Sequence, residues 1–175
     1  MIRLGPLLIL LALVCTGCPA TIKSEAMIPL APMSVHKSTS DVVIAVFGAT
    51  DVSARKPIHI MDEDFAQSLR ESFEKTGLFK KTVTGTQAAY QLQAFFVKMD
   101  EQIFGLDMTA SMEVNYTLAS TTPKKVLWEK GISTTHTTAF SESLISITRI
   151  QLATEGAARR NIEQAIQEIS KLQLE

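Results

Sequence analysis

Six apolar residues, Met108, Ala110, Met112, Val114, Tyr116 and Leu118, alternate with Thr109, Ser111, Glu113, Asn115 and Thr117. A strict period of two sends the two sets to opposite faces of an extended chain, so this run predicts a strand with one buried face. Upstream, Tyr90, Leu92, Ala94 and Phe96 repeat the pattern, and downstream Val126, Trp128 and Ile132 carry it on to Thr138. Together they predict an antiparallel meander. The earlier run from Asp41 to Phe47 is almost continuously apolar and is closed by Gly48, which predicts a strand covered on both faces or nearly so.

Between the first strand and the meander the period changes to that of a helix. Phe65, Leu69 and Phe73, with Ala66 beside them, form one stripe, while Gln67, Arg70, Glu71 and Glu74 face water. Asp62, Glu63 and Asp64 suit the positive end of the helix dipole, and Gly77 suits the left-handed position that ends a helix. Residues 49–60 read as a loop. A second, longer helix is predicted from Ser143 to Leu172. Ile147, Ile150, Ala153, Ala157, Ile162, Ala165, Ile166 and Ile169 fall on its apolar side, and Arg149, Arg159, Arg160, Glu163, Glu168 and Lys171 opposite. The order β-α-β-β-β-α predicts an α+β two-layer sandwich, a four-stranded mixed sheet with two helices on one face, as a single domain over residues 41–175.

The chain before that domain divides in two. Arg3, the apolar run Leu7 to Val14 and the small residues Thr16 and Gly17 have the three-part layout of a secretory signal over residues 1–17. The run is shorter than the roughly 20 apolar residues a membrane span needs. Residues 18–40 hold Pro19, Pro29 and Pro32 and show neither period, which predicts a flexible, extended tether. Its apolar residues Met27, Ile28, Leu30 and Met33 are available to dock on the domain or on a partner.

Charge and candidate chemistry narrow the function classes. Removal of residues 1–17 takes away Arg3 and no acid, leaving 16 basic against 18 acidic residues and a net charge of −2. That balance argues against steering nucleic acid. Cys15 and Cys18 are the only cysteines, so a chain cut before Cys18 has no internal disulfide and depends on its core. Gly48-Ala49-Thr50-Asp51 lacks the further glycines of a dinucleotide site, and no phosphate-binding loop motif occurs. His36, His59 and His136 have no ligand spacing, and there is no GxSxG elbow. No metal site, cofactor or catalytic set is therefore expected, and the protein is not expected to be an enzyme. His136 reads as a solvent-facing strand residue.

The expected topology groups two sets of residues. The turn holding Lys80 and Lys81 and the hairpin holding Lys124 and Lys125 share one end, the end at which the tether would enter the first strand. These four lysines form a candidate basic end for an anionic membrane surface or a negatively charged partner. The opposite end carries Ile103, Phe104 and Leu106, unusually apolar for a hairpin tip. They either fold back over the core or form a partner-binding loop directed away from the membrane.

Cys15-Thr16-Gly17-Cys18, at the end of the apolar run, resembles the lipobox of bacterial lipoproteins, with Cys15 where Leu is usual. The resemblance implies that Cys18 is diacylglycerated on sulfur, released by cleavage after Gly17 and acylated on its amine. Pro19 rather than Asp after the cysteine implies the periplasmic face of the outer membrane. An ordinary secreted protein cut near Ala20 is the alternative. Thr76-Gly77-Leu78-Phe79, Tyr90 to Ala94, and Tyr116-Thr117-Leu118 followed by Val126-Leu127-Trp128 resemble the pattern of envelope lipoproteins of the LptE and YajG types and the amino-terminal domain of TolB. What this implies is a lipid-anchored accessory or assembly subunit of a cell-envelope complex, binding the membrane through acylated Cys18 and an envelope protein through its surface. A lipid- or glycan-binding carrier and an envelope hydrolase or transferase remain as alternatives.

Overall fold

The alternating runs are strands, and their alternation sets which face is buried. In the computed structural model, which describes residues 20–33, 35–85 and 87–174, the elements are β1 (Ala20–Ile22), a 3-10 turn (Ser24–Met27), β2 (Val42–Phe47), α1 (Ala49–Ser53), β3 (Ile58–Ile60), α2 (Asp62–Thr76), β4 (Thr82–Val83), β5 (Tyr90–Gln102), β6 (Met108–Thr121), β7 (Lys124–Thr138), a second 3-10 turn (Phe140–Glu142) and α3 (Ser146–Ile169). Residues 1–17 and Cys18 lie outside the described residues.

The main sheet has five strands rather than four, in the order β4-β2-β5-β6-β7. The fifth is the two-residue β4, too short to show a period. β2 pairs in parallel with β4 and β5, and β5, β6 and β7 form the antiparallel meander. Leu92, Ala94, Phe96, Val114, Tyr116 and Leu118 are buried, and on that face α2 and α3 cover the sheet. The fold is therefore α+β, with a mixed sheet and its helices on one side. Phe65 of α2 meets Phe96 of β5 edge to face at 4.7 Å, the geometry that ring quadrupoles favour.

Two glycines are required by the backbone. Gly48 joins β2 to α1 at φ 84°, where a side chain would crowd the Phe96 carbonyl at 3.2 Å. Gly77 ends α2 at φ 66° and donates its N–H to the Phe73 carbonyl at 2.8 Å. Both are left-handed conformations that residues with a Cβ adopt at a cost.

The segment expected as a tether is packed against the domain for much of its length. Ala20–Ile22 pairs in parallel with Ile58–Ile60, strands of three residues that fall where a loop was expected. Ile22, Met27 and Ile28 are buried. The Ser24 carbonyl accepts the Ser68 hydroxyl at 2.9 Å, and the Ala26 carbonyl accepts Arg159 at 2.7 Å. The physical reason lies on α2, where Ser68 and Ser72, one turn apart, are small enough to let a second chain approach. Apolar side chains in the segment then gain more from burial than its prolines cost in freedom.

A buried polar network fixes α3 on the meander. Asn161 accepts the Tyr116 hydroxyl at 2.8 Å and donates its amide to the Ile132 carbonyl at 2.9 Å. Thr134 Oγ1 donates to the Ala157 carbonyl at 2.9 Å. Burial pushes the Tyr116 hydroxyl well above its usual range, so it serves as a permanent donor. Arg149, expected on the solvent side of this helix, is buried, and Ile147, expected on the apolar side, is exposed.

His136 also departs from expectation. It points under α3, where a Cβ added at Gly156 would collide with its ring. Gly156→Ala should therefore destabilise by about 1–3 kcal/mol through overpacking. In a His136→Ala background the same change should stabilise by about 1 kcal/mol, the helix propensity gained over glycine. Urea unfolding of the four proteins reads the sign reversal; destabilisation in both backgrounds would mean that the ring is not the obstacle.

Candidate functional site: two ends of the sheet

Strand register sorts the candidate residues into two ends. At the first, Val42 stands beside both Thr82 and Tyr90, Tyr90 beside Ser120, and Ser120 beside Lys125. Lys81 lies next to this row through its carbonyl, which accepts the Val42 N–H at 3.0 Å. Lys80 and Lys81 thus stand at one edge of the sheet and Lys124 and Lys125 at the other. Four strand spacings separate the edges, roughly 19 Å, so the two pairs share an end but not a site. Between them an open cleft of about 540 Å³ is lined by Ser40, Tyr90, Ser120, Leu127 and Leu172 among others.

At the second end the β5–β6 hairpin projects beyond β2, whose last residue Phe47 is already paired with Phe95. The hairpin tip is exposed rather than folded over the core: Phe104 is 83% and Leu106 69% accessible, with Ile103 at 42%. The β7–α3 connection stands against it, because Thr138 pairs with Met108 and Asp107 Oδ1 accepts the Phe140 N–H at 2.9 Å. That connection exposes Leu144 and Ile145, and the first turn of α3 exposes Ile147.

Arg149 holds the connection in shape. Its guanidinium donates to the Ser143 carbonyl and lies 5.0 Å over the Phe140 ring. Glu142 Oε1 accepts the Ala139 N–H at 2.8 Å, and Ser143 Oγ accepts the Ile145 N–H at 3.2 Å.

The described N-terminal segment runs from one end of the domain to the other. The chain does enter β2 at the lysine end, where Ser38 and Ser40 bond to Leu78 and Lys80. It arrives there from the opposite end. Lys56, just before β3, is 3.7 Å from Asp100 high on β5, whereas Ile60 at the far end of β3 bonds the Ser53 hydroxyl and leads into α2, which descends to Gly77. Because β1 runs parallel to β3, its first residue points towards the hairpin tip. The first described residues therefore lie towards the apolar end and not beside Lys80, Lys81, Lys124 and Lys125.

Beneath the tip the interior is partly polar. Glu101 Oε1 accepts the Thr154 hydroxyl at 3.3 Å, while its Oε2 is buried without a hydrogen-bond partner. Burial raises the carboxyl above its ordinary value of 4.5, with Thr154 and Lys56 opposing the shift. A raised carboxylate binds its proton more tightly in the folded state, so stability is lost as pH rises from about 4.5 through the folded value. Glu101→Gln should match the parent near pH 4 and melt higher at pH 7. Equal melting temperatures at both pH values would contradict this burial.

Among the described residues, no group of three or more His, Cys, Asp or Glu side chains is placed to hold a metal ion. Of the three acids that open α2, Asp62 accepts the Thr50 N–H at 3.1 Å and Glu63 pairs with Arg70 at 2.9 Å. Among the same residues, no helix is long and apolar enough to cross a membrane.

No family model matches the sequence, and no curated protein matches it. Solved structures share the fold. A Xanthomonas campestris protein of the DUF330 family has a TM-score of 0.64 at 12% identity, covering 87% of this chain and 92% of that one. A minor lipoprotein from Acinetobacter baumannii has a TM-score of 0.52 at 12% identity, covering 79% and 94%. The PelC dodecamer from Paraburkholderia phytofirmans has a TM-score of 0.51 at 12% identity, covering 80% and 94%. At such identities the likeness is one of fold, and it is a fold that lipoproteins of Gram-negative bacteria also adopt.

Proposed function

We propose that this protein is a lipid-anchored accessory subunit of a Gram-negative envelope complex, held at the periplasmic face of the outer membrane by acylated Cys18 and acting by protein binding without catalysis. The observation that carries the reading is the short link between the lipobox-like cysteine and β1. With only Pro19 between Cys18 and the first paired residue, the anchor fixes the domain close to the bilayer and sets which end faces away from it. The fold neighbours support the same class, since one bears the name of a minor lipoprotein and another is described as a dodecamer.

The surface offered to a partner is the edge of the sheet and its lysine end. β7 runs for 15 residues at the edge of the sheet, mostly exposed, and presents one side of its backbone to any strand that adds to it. Fatty-acid labelling in cells tests the anchor: label should be lost in Cys18→Ala, and retained label means the anchor was misread. Photocrosslinking from positions 125, 127 and 129 tests the partner. Capture of a transport, secretion or cell-wall component is expected. Co-purification of a lipid or glycan with no protein captured would favour the carrier reading instead.

A further inference from the structure

The apolar end combines three properties that together specify its occupant. Its exposure is large, with Phe104 83%, Leu106 69%, Leu144 79% and Ile145 62% accessible. Side chains of this size at a hairpin tip and a helix entry ordinarily turn inwards, and here the ties from Asp107, Glu142 and Arg149 hold the two segments in a shape that keeps them outward. Exposed apolar side chains on two segments tied together by the Asp107–Phe140 bond mark a binding surface rather than a frayed loop.

The second property is charge. From Gln102 to Met108 and from Ala139 to Thr148 the charged residues are Asp107 and Glu142 alone. Each of those carboxylates accepts a backbone N–H, of Phe140 and Ala139 respectively. The tip therefore offers no cation to a phosphate group, and one oxygen of each of its two carboxylates is engaged by its own backbone. Its recognition chemistry is hydrocarbon.

The third property is the direction of the chain. β1 runs parallel to β3, whose entry lies by the Lys56–Asp100 pair, so its first residue points towards this end. We infer that Phe104, Leu106, Leu144 and Ile145 embed in the hydrocarbon edge of the bilayer leaflet that holds the anchor, so that the protein stands on its β5–β6 tip with Lys80, Lys81, Lys124 and Lys125 directed away. The inference rests on the lipoprotein reading for its source of membrane, but the tip's own affinity does not depend on acylation. It supplies the second attachment that turns an acyl tether into a fixed orientation.

The experiment uses the chain from residue 18 with Cys18→Ser, which retains every described element and cannot be acylated. Its binding to vesicles of zwitterionic phosphatidylcholine is measured by co-sedimentation at low and high salt. Binding is expected, with little change on adding salt, and the variant Phe104→Ser, Leu106→Ser, Leu144→Ser, Ile145→Ser should bind at least tenfold more weakly. The melting temperature of that variant should stay close to the parent's, because the four side chains are outside the core. A second variant, Lys80→Glu, Lys81→Glu, Lys124→Glu, Lys125→Glu, should bind as the parent does. Three results would overturn the inference: parent-like binding by the tip variant, binding that requires anionic lipid and disappears in the lysine variant, or no vesicle binding by a parent chain whose self-association depends on the tip. Failure here with Cys18-dependent labelling intact would remove the tip and leave the lipoprotein reading standing.

Discussion

Replacing Asn161 with Ala is expected to cost about 3 kcal/mol, among the largest effects of any polar substitution in the molecule. The amide sits fully buried between α3 and the meander; its main partners are the Tyr116 hydroxyl and the Ile132 carbonyl, and Thr134 Oγ1 accepts a longer bond at 3.3 Å. Truncation leaves both without it in a region closed to bulk water. A buried group deprived of its partner costs about 1–3 kcal/mol, and the better helix propensity of alanine returns only a few tenths. Tyr116→Phe removes one bond and leaves one orphan, so it should cost about 1–2 kcal/mol. The double variant should cost less than the sum, because once the hydroxyl is gone Asn161 has one partner fewer to desert. Equilibrium urea unfolding of the four proteins measures this. A loss below about 1 kcal/mol for Asn161→Ala would mean that water takes over both bonds.

The double variant Ile22→Ala, Met27→Ala should be damaged more severely still. Both side chains are fully buried, one in β1 and one in the 3-10 turn between the helices. Large-to-small changes at such sites cost about 2–5 kcal/mol each. Together they approach the whole stability of an ordinary domain, about 5–15 kcal/mol. A flexible tether would give almost no change, since substitutions on exposed segments stay within about 0.5 kcal/mol. The thermal melt of the double variant therefore separates a packed strap from a leash, and a shift of under 2 °C would restore the leash.

The main elements were legible because their periods are long. β6 shows six apolar residues at a spacing of two, and the α2 stripe Phe65, Leu69 and Phe73 is buried throughout. β1 and β3 were not legible, because three residues cannot establish a period and each strand exists only because the other pairs with it. Prolines at 19, 29 and 32 dominated the reading of their segment, yet the residues between them carry the burial. Ser68 and Ser72 were the available clue: two small polar residues one turn apart on a helix, flanking its stripe, leave room for another chain.

The candidate surfaces divide in the same way. Strand direction alone put the four lysines at one end and Ile103, Phe104 and Leu106 at the other. What sequence could not supply was the route of residues 20–33 across the helices, and that route decides at which end the described chain starts. Arg149 was equally hidden. On a helical wheel it is a solvated charge, whereas its fold-back onto Ser143 and Phe140 is a tertiary contact that keeps Leu144 and Ile145 outward.

Orientation is the central claim, and depth in the bilayer tests it most directly. Beyond Cys18, which the proposed acylation would block, the chain past residue 17 has no cysteine, so a single thiol introduced by Phe104→Cys or by Lys125→Cys can carry a fluorophore in the lipid-anchored protein reconstituted into vesicles. Lipids brominated along the acyl chain quench only labels that enter the hydrocarbon. Strong quenching at position 104 and none at position 125 is expected; quenching at position 125 with position 104 unaffected would contradict the account.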